Sequence, residues 1–380
     1  MRAWAAIILP VMKWQTRTAG VLVVAFACWL MLEAGLWTIF RLLPSPVTFF
    51  DPARLTAPIA LIREQNSQFD AALGWRPRVI GAIGERPHSS ARAADIAAFG
   101  DSFTFGDEVG DAETWEERLG ERLNVGVLNF GVGGYGIDQA LLNFERRVEN
   151  PARTVVLAFI SENINRNVNV YRKFYFPKTQ GTFTKPRFIR SGGALSVLPN
   201  PIQQVAQRDR LADADFVAGL GMHDYWYNHR HLPLWQFPRI RVLFDRFFWR
   251  QLLPGGRVNP SDLDAAPDFL LWDEPEARDL TIDILRRFVA VATERGQVPI
   301  LVHMPVKEEI IDWRANRNLP SSIRVLQPIC AAERLRCLFP LLQSERVFSD
   351  LDNAFSAGGH YSVAGNAAFA QYLADALPLR

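Results

Sequence analysis

Cysteine is scarce in this chain of 380 residues: Cys28, Cys330 and Cys337 are all there is. No CxxC and no metal-type cysteine spacing occurs, so a zinc ribbon or a thioredoxin-like redox site is excluded. Charge of one sign is also lacking. Forty-two Lys and Arg stand against 40 Asp and Glu, a net +2 that is too small to suggest a nucleic-acid partner. Internal repeats and low-complexity segments are absent. What remains is 49% apolar and 22% charged, the composition of a folded protein with a substantial core.

The N-terminus differs in kind from the rest. Ala19 to Phe40 is an apolar stretch of spanning length, interrupted by Glu33 alone. Arg2, Lys13 and Arg17 precede it, and it ends Leu36-Trp37-Thr38-Ile39-Phe40-Arg41 without an Ala-X-Ala cleavage site. We read a retained single-pass transmembrane helix; a long buried core helix is the alternative. The basic N-terminal flank predicts a short cytoplasmic tail and an extracytoplasmic, periplasmic-type domain beyond the membrane. Residues 1–45 are then tail and anchor. Pro44, Pro46 and Pro52 mark a linker, and residues 46–93 read as linker and lead-in.

From Ala94 onward strands and helices alternate. Strand signals fall at 95–99, 126–129, 154–160, 298–304 and 336–340. Helix signals fall at 113–123, 137–148, 276–295 and 363–376. In the third of these, Leu280, Ile284, Phe288 and Val291 repeat at helical spacing and Gly296 fits the C′ position. Such alternation predicts a parallel, doubly wound α/β sheet.

Four segments carry chemistry. The first, Ala98-Phe99-Gly100-Asp101-Ser102-Phe103-Thr104-Phe105-Gly106, puts a serine on a tight turn at the carboxyl end of a strand, where open α/β sheets place reactive groups. The second is Val127-Leu128-Asn129-Phe130-Gly131-Val132-Gly133-Gly134-Tyr135-Gly136, a strand followed by a glycine-dense turn. The third, Thr154 to Asn163, is a strand run ending in asparagine. The last is Gly358-Gly359-His360-Tyr361-Ser362-Val363-Ala364-Gly365-Asn366, before a terminal helix. In this order the four blocks resemble those of the GDSL, or SGNH, hydrolase superfamily. The stretch from Leu73 to Gly134 resembles its bacterial members closely. The resemblance implies a flavodoxin-like sheet of order 2-1-3-4-5 over residues 94–380, and no metal and no nucleotide cofactor.

On that resemblance Ser102 is the nucleophile and His360 its base, because a serine hydroxyl attacks an acyl carbonyl only once its proton is taken. The N–H groups of Ser102 and Gly134 and the Asn163 side chain would stabilise the oxyanion. Asp101 is expected to fix the turn rather than act as the acid. Two departures stand out. The third block reads Ser161-Glu162-Asn163-Ile164, where the family usually has Gly-X-Asn-Asp. Ala357 occupies the place three residues before the histidine where the family carries an aspartate. The imidazole then needs another partner: Asp352, Asp350 or a backbone carbonyl.

Between about 165 and 275 the alternation breaks. This stretch is rich in Trp, Tyr, Phe and Arg and reads as an insertion beside the active-site mouth. It is either a cap on the sheet or, through Ile240, Leu243, Phe244 and Phe247 opposite Arg239, Arg246 and Arg250, an element resting on a membrane surface. His223, Asp224, His229 and His231 within it match no strong metal spacing. His303 reads as a satisfied core histidine. Cys330 and Cys337 are placed at a helix end and the following strand, and could pair in an oxidising compartment. The function expected is acyl-ester hydrolysis through an acyl-serine, on an envelope glycan or lipid. The alternatives are O-acetyl transfer to an exported polysaccharide and a catalytically inactive scaffold of the same fold; Ala357 favours the latter.

Overall fold

The computed structural model describes residues 20–39, 55–88, 92–230, 238–244 and 270–377. Five strands form one parallel sheet: β1 (Ala94–Phe99), β2 (Gly126–Asn129), β3 (Thr154–Phe159), β4 (Val298–His303) and β5 (Cys337–Leu338), in the order β2-β1-β3-β4-β5. That is the order 2-1-3-4-5 expected above. The strands read as near-continuous apolar runs because both faces are covered. Along β1, Ala97 and Phe99 enter the core on one face, Ile96 and Ala98 the core on the other; β3 divides the same way.

Among the helices are α1 (Ser102–Phe105), α2 (Trp115–Leu123), α3 (Ile137–Arg146), α4 (Asn163–Asn167), α5 (Pro275–Glu294), α6 (Lys307–Asn316), α7 (Ser321–Ala332) and α8 (Val363–Ala376). Apolar side chains of α3 and α5 fill one core: Leu141 and Phe144 meet Leu280, Ile284 and Phe288. Trp115 and Leu119 of α2 meet Phe369 and Leu373 of α8 in the other. Caps set the ends as sequence suggests. Thr114 accepts from Glu117 N ahead of α2, Ser362 accepts from Gly365 N ahead of α8, and Gly296 follows α5 at φ +72.

The lead-in belongs to the fold. Leu55, Ala57 and Ile62 are buried in the α3–α5 core, and Gln139 Nε2 donates to Leu73 O at 2.6 Å. The described part of the insertion covers that same face. It contributes an antiparallel hairpin (Arg187–Ser191 with Ala194–Leu198) and buries Tyr171, Tyr175, Trp226 and Trp272. Asp224 staples it, accepting from Val170 N at 2.6 Å and from Asn169 Nδ2 at 2.8 Å. His231 and all of 245–250, with Arg246, Phe247 and Arg250, lie outside the described residues. Cys330, at the end of α7, is disulfide-bonded to Cys337 in β5, with Cα atoms 6.1 Å apart. Gly20–Ile39 is a single helix of 20 residues, long and apolar enough to cross a membrane; Ala19 and Phe40 lie outside the described residues.

Candidate active site

β1 ends at Phe99, and the chain turns into α1 within two residues. Gly100 is required there: a Cβ would lie 2.4 Å from Ala158 O. Asp101 caps α1, its Oδ1 accepting from Phe103 N at 2.9 Å. Ser102 thus opens the helix at the carboxyl edge of the sheet and is 6% exposed.

The other Asp101 oxygen ties three of the four blocks together. Oδ2 accepts from Asn163 Nδ2 at 2.8 Å and from Arg166 Nη1 at 3.3 Å. Arg166 Nη1 also donates to Tyr135 O at 2.9 Å, and Asn163 Oδ1 accepts from Ile160 N at 3.1 Å. Asp101 therefore fixes the turn, as expected. Asn163, 1% exposed, directs its amide to Asp101 rather than to an open site. Arg166 is itself paired with Glu162. Burial pushes the Glu162 carboxyl up, but the Arg166 and Arg172 charges outweigh it and hold it down at about 2.

Gly134 sits in the glycine-dense turn at φ +83, a conformation other residues resist. A Cβ there would lie 2.8 Å from Arg172 Nη1, which donates to Gly134 O at 3.1 Å. Trp75 Nε1 donates to the neighbouring Gly133 O at 2.9 Å. Two hollows flank this turn. One of about 500 Å³ is lined by Trp75, Arg76, Phe105, Asp107 and Gly133. The other, of about 260 Å³, is lined by Trp75, Gly134, Arg172, Gln180 and Phe183. A third hollow, of about 630 Å³, lies over Phe130 and Arg147 and touches none of the candidate catalytic residues.

His360 stands in the loop before α8, its ring centroid 5.0 Å from that of Phe103, the residue after Ser102. Its partner is neither of the aspartates proposed from sequence. His360 Nδ1 lies 2.8 Å from Glu108 Oε2. Asp350 caps the short helix Leu351–Ala354, accepting from Asn353 Nδ2 at 2.7 Å, and Asp352 lies exposed on that helix. Among the described residues, no carbonyl accepts from the imidazole either. Glu108 reaches the ring because the turn after α1 puts it at φ +73. The same carboxylate accepts from Ser356 Oγ at 2.6 Å, Gly358 N at 2.9 Å and His360 N at 3.2 Å. The Ser356 bond first, and then that to His360, hold its carboxyl at about 2. Gly358 makes room, since a Cβ there would lie 2.1 Å from Glu108 Oε1. Among the described residues, no hydrogen bond joins the Ser102 hydroxyl to His360. Burial raises the pKa of Asp107, next to Glu108, and the His360 charge opposes that rise.

A second polar cluster, buried beside β3 and β4, was only partly foreseen. His303 Nε2 meets Ser161 Oγ at 2.8 Å and Ser322 Oγ at 3.0 Å, and Ser161 also bonds Glu309. His303 is a buried core histidine, as expected, with Nε2 bonded; among the described residues its Nδ1 meets no side-chain partner.

No protein-family model matches the chain, and no curated protein matches it. Solved structures do. A member of the lipolytic protein G-D-S-L family from Veillonella parvula is 12% identical, with 74% of this chain and 97% of that one covered and a TM-score of 0.36. The lipase/acylhydrolase from Enterococcus faecalis is 13% identical, with 76% and 99% covered and a TM-score of 0.35. TesA is 11% identical, with 75% and 98% covered and a TM-score of 0.38. Likeness at this level carries no functional argument, and the residues themselves must supply it.

Proposed function

We propose that this chain is an SGNH-type serine hydrolase that cleaves acyl esters through an acyl-Ser102 intermediate. The observation that carries the reading is the Glu108 carboxylate on His360 Nδ1. An ionised carboxylate only accepts, so it fixes the proton on Nδ1 and leaves Nε2 as the base. Nε2 takes the Ser102 proton as Oγ attacks the acyl carbon. The oxyanion forms toward the Ser102 and Gly134 N–H groups, and His360 then protonates the departing alkoxide. Water, deprotonated by the same nitrogen, attacks the acyl-serine and releases the acid and free Ser102. The reading requires Ser102 and His360 to close to hydrogen-bond distance when substrate is held. Asn163 enters as a positioning residue that acts through Asp101. Ala357 favoured an inactive scaffold; Glu108 fills the role that Ala357 cannot.

We also read Gly20–Ile39 as a membrane anchor with the domain on the extracytoplasmic side. The Cys330–Cys337 disulfide supports an oxidising compartment. Acylated envelope glycans or lipids are the substrates this placement suggests, with transfer of the acyl group to a sugar hydroxyl as the competing fate of the acyl-enzyme. The test is turnover of p-nitrophenyl esters of graded acyl length by the full-length protein in detergent. Wild type should turn over, and Ser102→Ala and His360→Ala should fall to background. Equal activity in wild type and His360→Ala would overturn the reading.

A further inference from the structure

Glu33 is the one Asp, Glu, Lys or Arg in the Gly20–Ile39 helix, and it is 3% exposed. Much of the helix is bare, with Val21, Leu22, Val23, Val24, Phe26 and Met31 all more than half exposed, whereas Glu33 and Leu36, one turn apart, are buried. What covers Glu33 is the insertion. Its carboxylate accepts from Arg239 N at 2.6 Å and Ile240 N at 2.9 Å, with the Arg239 guanidinium at 3.8 Å. These contacts open the short 3-10 helix Arg239–Phe244, whose last residue is 83% exposed.

Depth follows from helix geometry. Twenty residues at 1.5 Å each give roughly the 30 Å of a hydrocarbon core. Glu33 precedes Ile39, at the end that leads to the folded domain, by six residues, or about 9 Å. A carboxylate at that depth is costly unless paired, and so is an unpaired backbone N–H. Here each resolves the other. The segment at 238–244 must sit at the depth of its clamp, and Phe244 then has lipid, not water, as its natural surroundings.

We propose that residues 238–244 are a second membrane-contacting element, seated in the outer part of the bilayer beside the anchor helix and held there by Glu33. The partner is the lipid bilayer. One helix alone would let the domain swivel on its linker; two attachments fix its face toward the membrane. The proposal rests on reading Gly20–Ile39 as a membrane span.

The experiment uses full-length protein in phosphatidylcholine–phosphatidylglycerol vesicles, with the Cys330–Cys337 disulfide left intact. The fluorophore NBD is attached either to native Cys28, which is exposed on the helix, or to Phe244→Cys in a Cys28→Ser background. Doxyl-labelled lipid should quench both probes, and aqueous iodide neither. Glu33→Ala should abolish most lipid quenching at 244 while leaving that at 28. Iodide quenching at 244 with lipid quenching at 28 would overturn the proposal and leave the span intact. Shielding of 244 from both quenchers would overturn it in favour of a protein partner or a second copy. A Cys28 probe that lipid does not quench would overturn the span, and the proposal with it; ester turnover reports on the catalytic reading separately.

Discussion

Glu108 and His360 are 252 residues apart in the chain, and their side chains meet at 2.8 Å. The carboxylate is held by four donors, so it is a fixed group rather than a passing contact. Glu108→Gln should keep the fold and lower kcat by about two to four orders of magnitude, as loss of the orienting carboxylate does in the serine-protease triad. Asp352→Asn and Asp350→Asn should stay near wild type. Ala357→Asp should give no gain, because its carboxylate would join a site that already holds one. Steady-state kinetics on a short acyl ester separates these outcomes. With its carboxyl at about 2, Glu108 is ionised throughout the neutral range. Its depressed pKa stabilises the fold fully above about pH 4.5, and that contribution is lost as pH falls toward about 2.

Asp101 is the hub of the turn, with donors from Phe103, Asn163 and Arg166. Asp101→Asn leaves the buried Arg166 with one carboxylate partner instead of two. We expect a stability loss of about 2–4 kcal/mol, measured by denaturant titration. Activity should fall further than the folded fraction does, because Ser102 loses its fixed position.

Glu309 gives a pH signature of its own. Burial raises its carboxyl to about 7, and burial lowers the neighbouring His303 to about 3. For Glu309 the folded state prefers the proton, so stability is full below about 4.5 and is lost as pH climbs through about 7. His303 works the other way, losing stability only as pH falls below about 6.5. Glu309→Gln should remove the first loss. Relative to wild type, its stability at pH 8 against pH 5 should improve by roughly 1–3 kcal/mol. An unchanged difference would place the titration elsewhere.

The Cys330–Cys337 bond closes a short loop, with a sequence separation of seven. The chain-entropy relation gives about 2 kcal/mol for a loop of that size. Cys330→Ala with Cys337→Ala should lower stability by about that amount and leave ester turnover unchanged, since β5 lies at the sheet edge away from β1.

The sheet was legible because each core strand is an apolar run ended by a turn, from Ile96 to Phe99 and from Val155 to Phe159. α5 was legible from its helical spacing and Gly296. α6 was not: only Ile310 of Lys307–Asn316 is buried, so it has no apolar stripe to read. α7 carries Pro328 in its interior, which weakens a helical pattern, although Cys330 was expected at a helix end. Ser102, Gly134 and His360 were legible as motif positions. Glu108 was not, because Asp107-Glu108 looks like any polar turn. Its role depends on a positive φ and on a loop 252 residues away. The glycine at 358 was the one hint, marking a place where something approaches the backbone closely. The amide of Asn163 was assigned to the oxyanion from its motif. Its hydrogen bond to Asp101 follows from the packing of α4 against the turn, which the motif does not report.

The central claim is that Ser102 is a nucleophile activated by His360. A fluorophosphonate reacted with the full-length protein, followed by mass spectrometry of the digested chain, tests it most directly. A single phosphonyl adduct is expected on the peptide carrying Ser102, lost in Ser102→Ala and slowed by about two orders or more in His360→Ala. Folded wild-type protein that takes up no adduct, or takes it up equally well without His360, would contradict it.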